Sequence, residues 1–144
     1  MDLLKLKNDI AKLKPQVDLV VIMMHAGVEY TNQPNTQQKQ FAHTAIDAGA
    51  DLVIGHHPHW VQVTEIYQGK PILYSLGNLV FDQMWSKETT EGALAQITIV
   101  DKSITGIKII PIEIKDYGQA TVATGKIKSD ILKRMNLTTV EIKL

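Results

Sequence analysis

Apolar residues at Leu3, Leu6, Ile10 and Leu13 recur at spacings of three and four, the stripe of an amphipathic helix. Pro15 is expected to end it, because its ring and missing N–H do not continue a helix. Val17 to Met24 is then apolar on both alternating faces apart from Asp18. That pattern predicts a strand covered on both sides, as in a parallel sheet between packed layers. Gly27 to Asn35 reads as a loop, with Asn32, Pro34 and Asn35 as breakers. A second helix is predicted over Thr36 to Ala48. Asn35 and Gln38 are spaced for a capping box, Phe41, Ala42, Ala45 and Ile46 form its apolar face, and Gly49 stops it. Leu52-Val53-Ile54 is a second short buried strand and leads directly into Gly55-His56-His57-Pro58-His59.

Beyond this point the pattern changes. Val61 to Tyr67 and Pro71 to Leu76 read as strands around a Gln68-Gly69-Lys70 turn. Ala95, Ile97 and Ile99 alternate with polar residues, a half-exposed strand that returns through Ile107 and Ile109 after Asp101-Lys102-Ser103. Ile110, Ile112 and Ile114 continue on the other parity, so a bulge is expected near Ile109–Ile110 beside Pro111. Ile127, Ile131, Leu132 and Met135 predict a last short helix. The expected fold class is α/β, leaning to α+β. A parallel β-α-β unit is followed by antiparallel strands, all in one domain over residues 1–144.

Composition narrows the function. The chain has 144 residues, 44% hydrophobic and 21% charged, which is globular usage. Fifteen basic residues balance fifteen acidic ones, which removes the electrostatic reason to expect a nucleic-acid partner. There is no cysteine, so a thiolate metal site and a Cys nucleophile are excluded. The longest apolar run, Leu19 to Met24, falls far short of the ~20 residues a membrane span needs. Met1 to Lys5 lacks a basic segment followed by an apolar stretch, so no targeting signal is expected in this chain.

The chemistry lies with the histidines: His25, His43, His56, His57 and His59. His25 ends the first buried strand and His56 the second. A right-handed β-α-β unit places the carboxyl ends of both strands on one sheet edge, where open α/β sheets bind ligands. Imidazole ligates zinc, manganese and iron, so the expected cofactor is one or two divalent ions, with the ligands drawn from His25, His56 and either His59 or His57. Two ions ~3.5–4 Å apart clamp a phosphoryl oxygen and generate hydroxide. Pro58 stiffens the loop, and Gly55 allows close backbone approach. His43 lies off the apolar face of its helix and reads as solvated.

Other residues carry two readings each. Glu29, four positions after His25, is either a catalytic acid–base group or ligand in the same crevice, or a surface carboxylate. Asp82 is either a partner orienting a histidine, in support of catalysis, or a turn aspartate, and Asn78 has the same ambiguity. Trp60, Tyr74 and Trp85 either line a substrate groove or pack at the rim. The lysines form no tight cluster and read as solvated surface.

The segments His25-Ala26-Gly27-Val28-Glu29-Tyr30, Ile46-Asp47-Ala48-Gly49-Ala50-Asp51, Gly55-His56-His57-Pro58-His59 and Tyr74-Ser75-Leu76-Gly77-Asn78 with Phe81-Asp82 stand in order. With them the chain resembles the bacterial capsule-synthesis CapA family, similar in fold to the calcineurin-like metallophosphoesterases. The resemblance covers roughly Pro15 to Gly118. It implies a partial metallophosphoesterase-like β-sandwich with flanking helices. His25 and Glu29 correspond to the histidine and glutamate of the family's His-Trp-Gly-x-Glu-Tyr motif, with Ala26 in place of the tryptophan.

Tyr30, Trp60 and Asn78 are the expected substrate contacts. Full-length relatives carry an N-terminal half with an early Gly-Asp motif and a later Asn-His motif that complete the metal site. The chain therefore resembles the C-terminal part of the domain.

Three expectations follow. The first is a metal-dependent phosphoesterase-like hydrolase whose missing ligands come from elsewhere. The second is a non-catalytic module binding an anionic capsule polymer such as poly-γ-glutamate, or its phosphorylated precursor. The third is a fragment that folds only as a homo-oligomer or beside the missing half. The resemblance implies the cell envelope, on the outer face of the membrane.

Overall fold

The computed structural model describes residues 2–144. Met1, part of the opening stretch considered as a leader, lies outside them. The first stripe forms α1 (Leu3–Leu13), capped by Asp2, whose carboxylate accepts from the Lys5 N–H at 2.9 Å. A 3₁₀ turn over Lys14–Gln16 contains Pro15 and ends the helix. β1 (Val21–His25) starts later than the apolar run predicts. The reason is local: the Val20 N–H donates to the Asp51 carboxylate at 2.9 Å instead of to a neighbouring strand. α2 (Thr36–Asp47) carries the expected capping box, with Asn35 and Gln38 satisfying each other's backbone N–H groups at 2.9 and 3.0 Å.

β2 (Leu52–His56) runs parallel to β1, in register from Val21 opposite Leu52 to His25 opposite His56. β3 (Thr64–Tyr67) and β4 (Lys70–Leu73) form the predicted hairpin, shorter than the apolar runs, with Val61 making only an isolated bridge to Leu76. β4 lies parallel to β2, and the first sheet has the order β1-β2-β4-β3.

β5 (Glu91–Val100) and β6 (Ser103–Lys115) make a long antiparallel pair. β7 (Gln119–Val122) pairs with the end of β6, and β8 (Glu141–Lys143) with its beginning. α3 (Gly125–Arg134) lies between them in sequence. The fold class is α/β, with an antiparallel sheet following the β-α-β unit. The expected bulge near Ile109–Ile110 is absent, since pairing runs unbroken from Glu91 opposite Glu113 to Thr98 opposite Gly106. The irregularity lies instead at Thr98/Ile99, next to the turn. The apolar phase changes because Ile109, Pro111, Ile112 and Ile114 are all buried, so this end of β6 is covered on both faces.

Two clusters hold the layers together. Val20, Met24, Val53, Ile72 and Tyr74 pack under Ile10 of α1 and Ala42, Ala45 and Ile46 of α2. On the opposite face, Leu52, Leu73 and Leu76 pack against Ile107 and Ile109 of β6 and Ile131 and Leu132 of α3. The second sheet does not reach over β1: on that face Val21 is 45% and Met23 63% exposed. The resulting gap between the two sheets is an open cleft of about 460 Å3, and His25 and His56 stand at its end.

Candidate functional site

Alternation along a strand sends every second side chain to the same face. Met23 and His25 therefore share a face with Ile54 and His56, and all four line the cleft. The chain then turns sharply at residues 57–59, with His57 at φ 100° and His59 at φ 61°. Both angles lie in the left-handed region that L-residues rarely adopt, and such strain is typical of functional turns. Tyr30, at φ 59°, completes the facing loop.

The two loops are stitched by backbone: Ala26 N donates to His56 O at 3.2 Å and Tyr30 N to Pro58 O at 2.8 Å. A buried amide pair braces them from behind. Gln38 Nε2 donates to Gln62 Oε1 at 2.8 Å, and Gln62 Nε2 donates to the carbonyls of Thr31 and Gln33 at 3.1 Å each.

The histidines do converge. The His25 and His57 ring centres are 5.0 Å apart, and those of His57 and His59 are 6.2 Å apart. His56 adjoins His25 across the sheet, and burial, then the charge of His25, push its imidazole below the ordinary histidine value. It stays neutral near pH 7, the form that offers a lone pair. His59 has the ring of Tyr30 at 6.0 Å and that of Phe81 at 5.2 Å. Its Nε2 is 4.0 Å from the half-exposed Glu29 carboxylate, and its Nδ1 is 2.8 Å from Asn78 Oδ1.

The donor set can be compared with a metal centre. Two imidazoles on one tetrahedral ion, with bonds of about 2.0–2.1 Å, place their ring centres about 5 Å apart. His25 and His57 have that spacing. Yet among the described residues no group of three or more His, Asp or Glu side chains is placed to hold a metal ion. The chain thus presents two imidazoles at ligand spacing, with His59 and Glu29 beside them, and not a closed cage.

The remaining expected residues fall as follows. Tyr30 walls the site and accepts from Gln83 Nε2 at 3.4 Å. Asn78 lines the cleft but is buried, with its amide engaged by protein groups. Trp60 is not among the cleft residues; its indole N–H is buried without a partner. Asp82 is exposed and outside the lining. Phe81, named only within the resemblance, lies beside His59, and Gln83 and Thr89 contribute although nothing in their spacing points to His59.

His43, expected to be solvated, is only partly exposed and its ring is engaged by neighbours. Its Nε2 is 3.1 Å from both oxygens of Glu65, its ring stacks on Tyr67 at 3.9 Å, and Glu65 also accepts from the Tyr74 hydroxyl at 2.7 Å. This cluster lies in a separate cleft.

Comparison with known proteins adds the family. Residues 1–83 match the model described as bacterial capsule synthesis protein PGA_cap. The chain is similar to the PGA biosynthesis protein CapA of Bacillus subtilis, at 40% identity over 87% of this chain and 33% of that protein. It is similar to the capsule biosynthesis protein CapA of Bacillus anthracis, at 36% identity over 88% of this chain and 30% of that protein. A probable polyglutamine synthesis accessory protein of Mycobacterium tuberculosis is 43% identical over 45% of this chain and 17% of its own length. The chain spans about a third of the length of the two Bacillus relatives.

Proposed function

Because the chain belongs to the bacterial capsule synthesis protein family, we propose that it serves the synthesis of an anionic capsule polymer of the poly-γ-glutamate kind. It works at the cell envelope, on the outer face of the membrane. The residues of this chain contain no helix long and apolar enough to cross a membrane, among those described. The observation that supports the reading is the gathering of His25, His57 and His59, with Glu29, at one end of the cleft between the sheets.

The cleft handles the polymer or its phosphorylated precursor. Its floor is apolar, from Met23, Ile54 and Leu94, and its chemistry stands at one end. His25 and His57 are two ligands of a divalent ion, one or two of the manganese, zinc or iron class, with further donors supplied from outside these residues. Such an ion provides Lewis acidity toward a phosphoryl or carboxyl oxygen. Glu29, half exposed beside His59 Nε2, accepts or returns a proton there. Tyr30 and Phe81 flank the site as aromatic neighbours of His59.

That no third donor joins His25 and His57 among the described residues favours one other reading, in which the cleft binds the polymer without turning it over. Capsule assays distinguish them. In the intact protein, His25→Ala with His57→Ala is expected to reduce surface polymer and metal-dependent hydrolysis of an aryl phosphate by at least tenfold. Surface polymer lost without any hydrolysis to lose supports binding alone. Surface polymer unchanged by the double substitution overturns both.

A further inference from the structure

His59 is held in one protonation geometry by a residue buried beneath it. Its Nδ1 lies 2.8 Å from Asn78 Oδ1. Which end of the Asn78 amide faces His59 follows from the other end. Asn78 Nδ2 donates to the carbonyl oxygen of Thr89 at 2.9 Å, and a carbonyl only accepts. Gln83 Oε1 accepts from the same nitrogen at 3.3 Å. The amide nitrogen therefore points to Thr89 and the amide oxygen to His59, and Nδ1 must carry the hydrogen.

Asn78 cannot relax from this position easily. It is 6% exposed, and its backbone oxygen packs where a side chain on residue 92 would stand: a Cβ there would lie 1.8 Å away, which only Gly92 avoids. The imidazole above it has Tyr30 at 6.0 Å and Phe81 at 5.2 Å as aromatic neighbours.

We propose that Asn78 is a positioning residue that fixes neutral His59 as the Nδ1–H tautomer and leaves the Nε2 lone pair as its one offering to the site. Neutral His59 is thus a donor of electrons. It takes a cation or an acidic O–H or N–H of a ligand, and it cannot donate an Nε2 hydrogen bond to an anionic oxygen. This assignment rests on the reading of the cleft as the functional site and names what one of its residues accepts. Asn78 acts through His59 and has no free amide group for substrate.

Two-bond 1H–15N correlation spectra of the 144-residue chain, labelled at histidine nitrogens, read the tautomer directly at mildly alkaline pH without metal. His59 is expected to show a protonated Nδ1 and an unprotonated Nε2. Asn78→Asp keeps an acceptor at the same place and retains that pattern. Asn78→Leu removes it, and His59 shifts to Nε2–H or to an exchange average. An Nε2–H signal in the unmodified chain overturns the assignment, as does an unchanged His59 pattern in a folded Asn78→Leu chain. Should Asn78→Leu fail to fold, the unmodified chain and Asn78→Asp decide the matter alone. Zinc titration separates this from the wider reading. Zinc shifts at His25 and His57 with the wrong His59 tautomer overturn the assignment only. The expected tautomer with no zinc response at any of the three sustains the assignment and overturns the metal reading.

Discussion

At the residue scale, the site is bought with backbone strain. His57 sits at φ 100° and His59 at φ 61°, where a side chain crowds the backbone at a cost of roughly 1–2 kcal/mol per residue. Stability and function therefore pull in opposite directions at position 57. His57→Gly is expected to stabilise the chain by about 1 kcal/mol in chemical denaturation. The same change removes an imidazole from ligand spacing with His25. A loss of stability on that substitution contradicts the strain argument.

Gly55 shows the converse constraint, since a Cβ there would stand 2.0 Å from the Tyr74 carbonyl oxygen. Gly55→Ala is expected to cost about 1–3 kcal/mol by forcing β2 and β4 apart under His56. The positions of His25 and His56 were legible in the sequence because a β-α-β unit fixes which strand ends meet. Asn78 carried two readings in the sequence, and its place against His59 Nδ1 fits that of a partner to a histidine. Gln83 and Thr89 were not assignable, because their role arises from a loop that folds back under His59 with no spacing to mark it.

At the element scale, α2 is latched to β3 by polar groups. Burial alone would raise the Glu65 carboxyl. Hydrogen bonds from Tyr74 and His43, with the charges of His43 and Lys39, outweigh it and hold Glu65 below the ordinary carboxylate value. Tyr74 is pushed above its ordinary value by burial, then by the hydrogen bond and charge of Glu65. Folded Glu65 thus binds fewer protons than unfolded Glu65. Its stabilisation is fully present above the unfolded value of about 4.3 and is lost as pH falls through the folded one. Glu65→Gln is expected to lower stability at neutral pH and to flatten its decline between about pH 5 and pH 3. Parallel curves for the two proteins contradict the latch.

Helix α2 itself was readable down to its capping box, because caps are local. The partners of His43 are not legible in the helix pattern, because they come from β3 and from Tyr74 just beyond β4. The bulge was misplaced for a related reason: alternation reports burial, and burial on both faces of β6 imitates a slip of register.

At the scale of the whole molecule, the two sheets share one core. Leu52 belongs to the first sheet but packs in the cluster with Ile107, Ile109 and Ile131. Leu52→Ala is expected to cost about 2–5 kcal/mol and to move the far-ultraviolet circular dichroism and tryptophan fluorescence transitions together. Separate transitions would show that the chain needs a partner to join its halves. The α/β order was legible from the apolar pattern, as was the antiparallel second half. β7 and β8 were not, being four and three residues long with few apolar positions.

The account turns on the proposal that His25 and His57 hold one cation, with His59 beside it. Substoichiometric Mn2+ added to the 144-residue chain is expected to broaden the imidazole signals of these three first, leave His43 sharp, and lose its hold when His25→Ala is introduced. Equal broadening of His43, or an unaffected cluster, would contradict it.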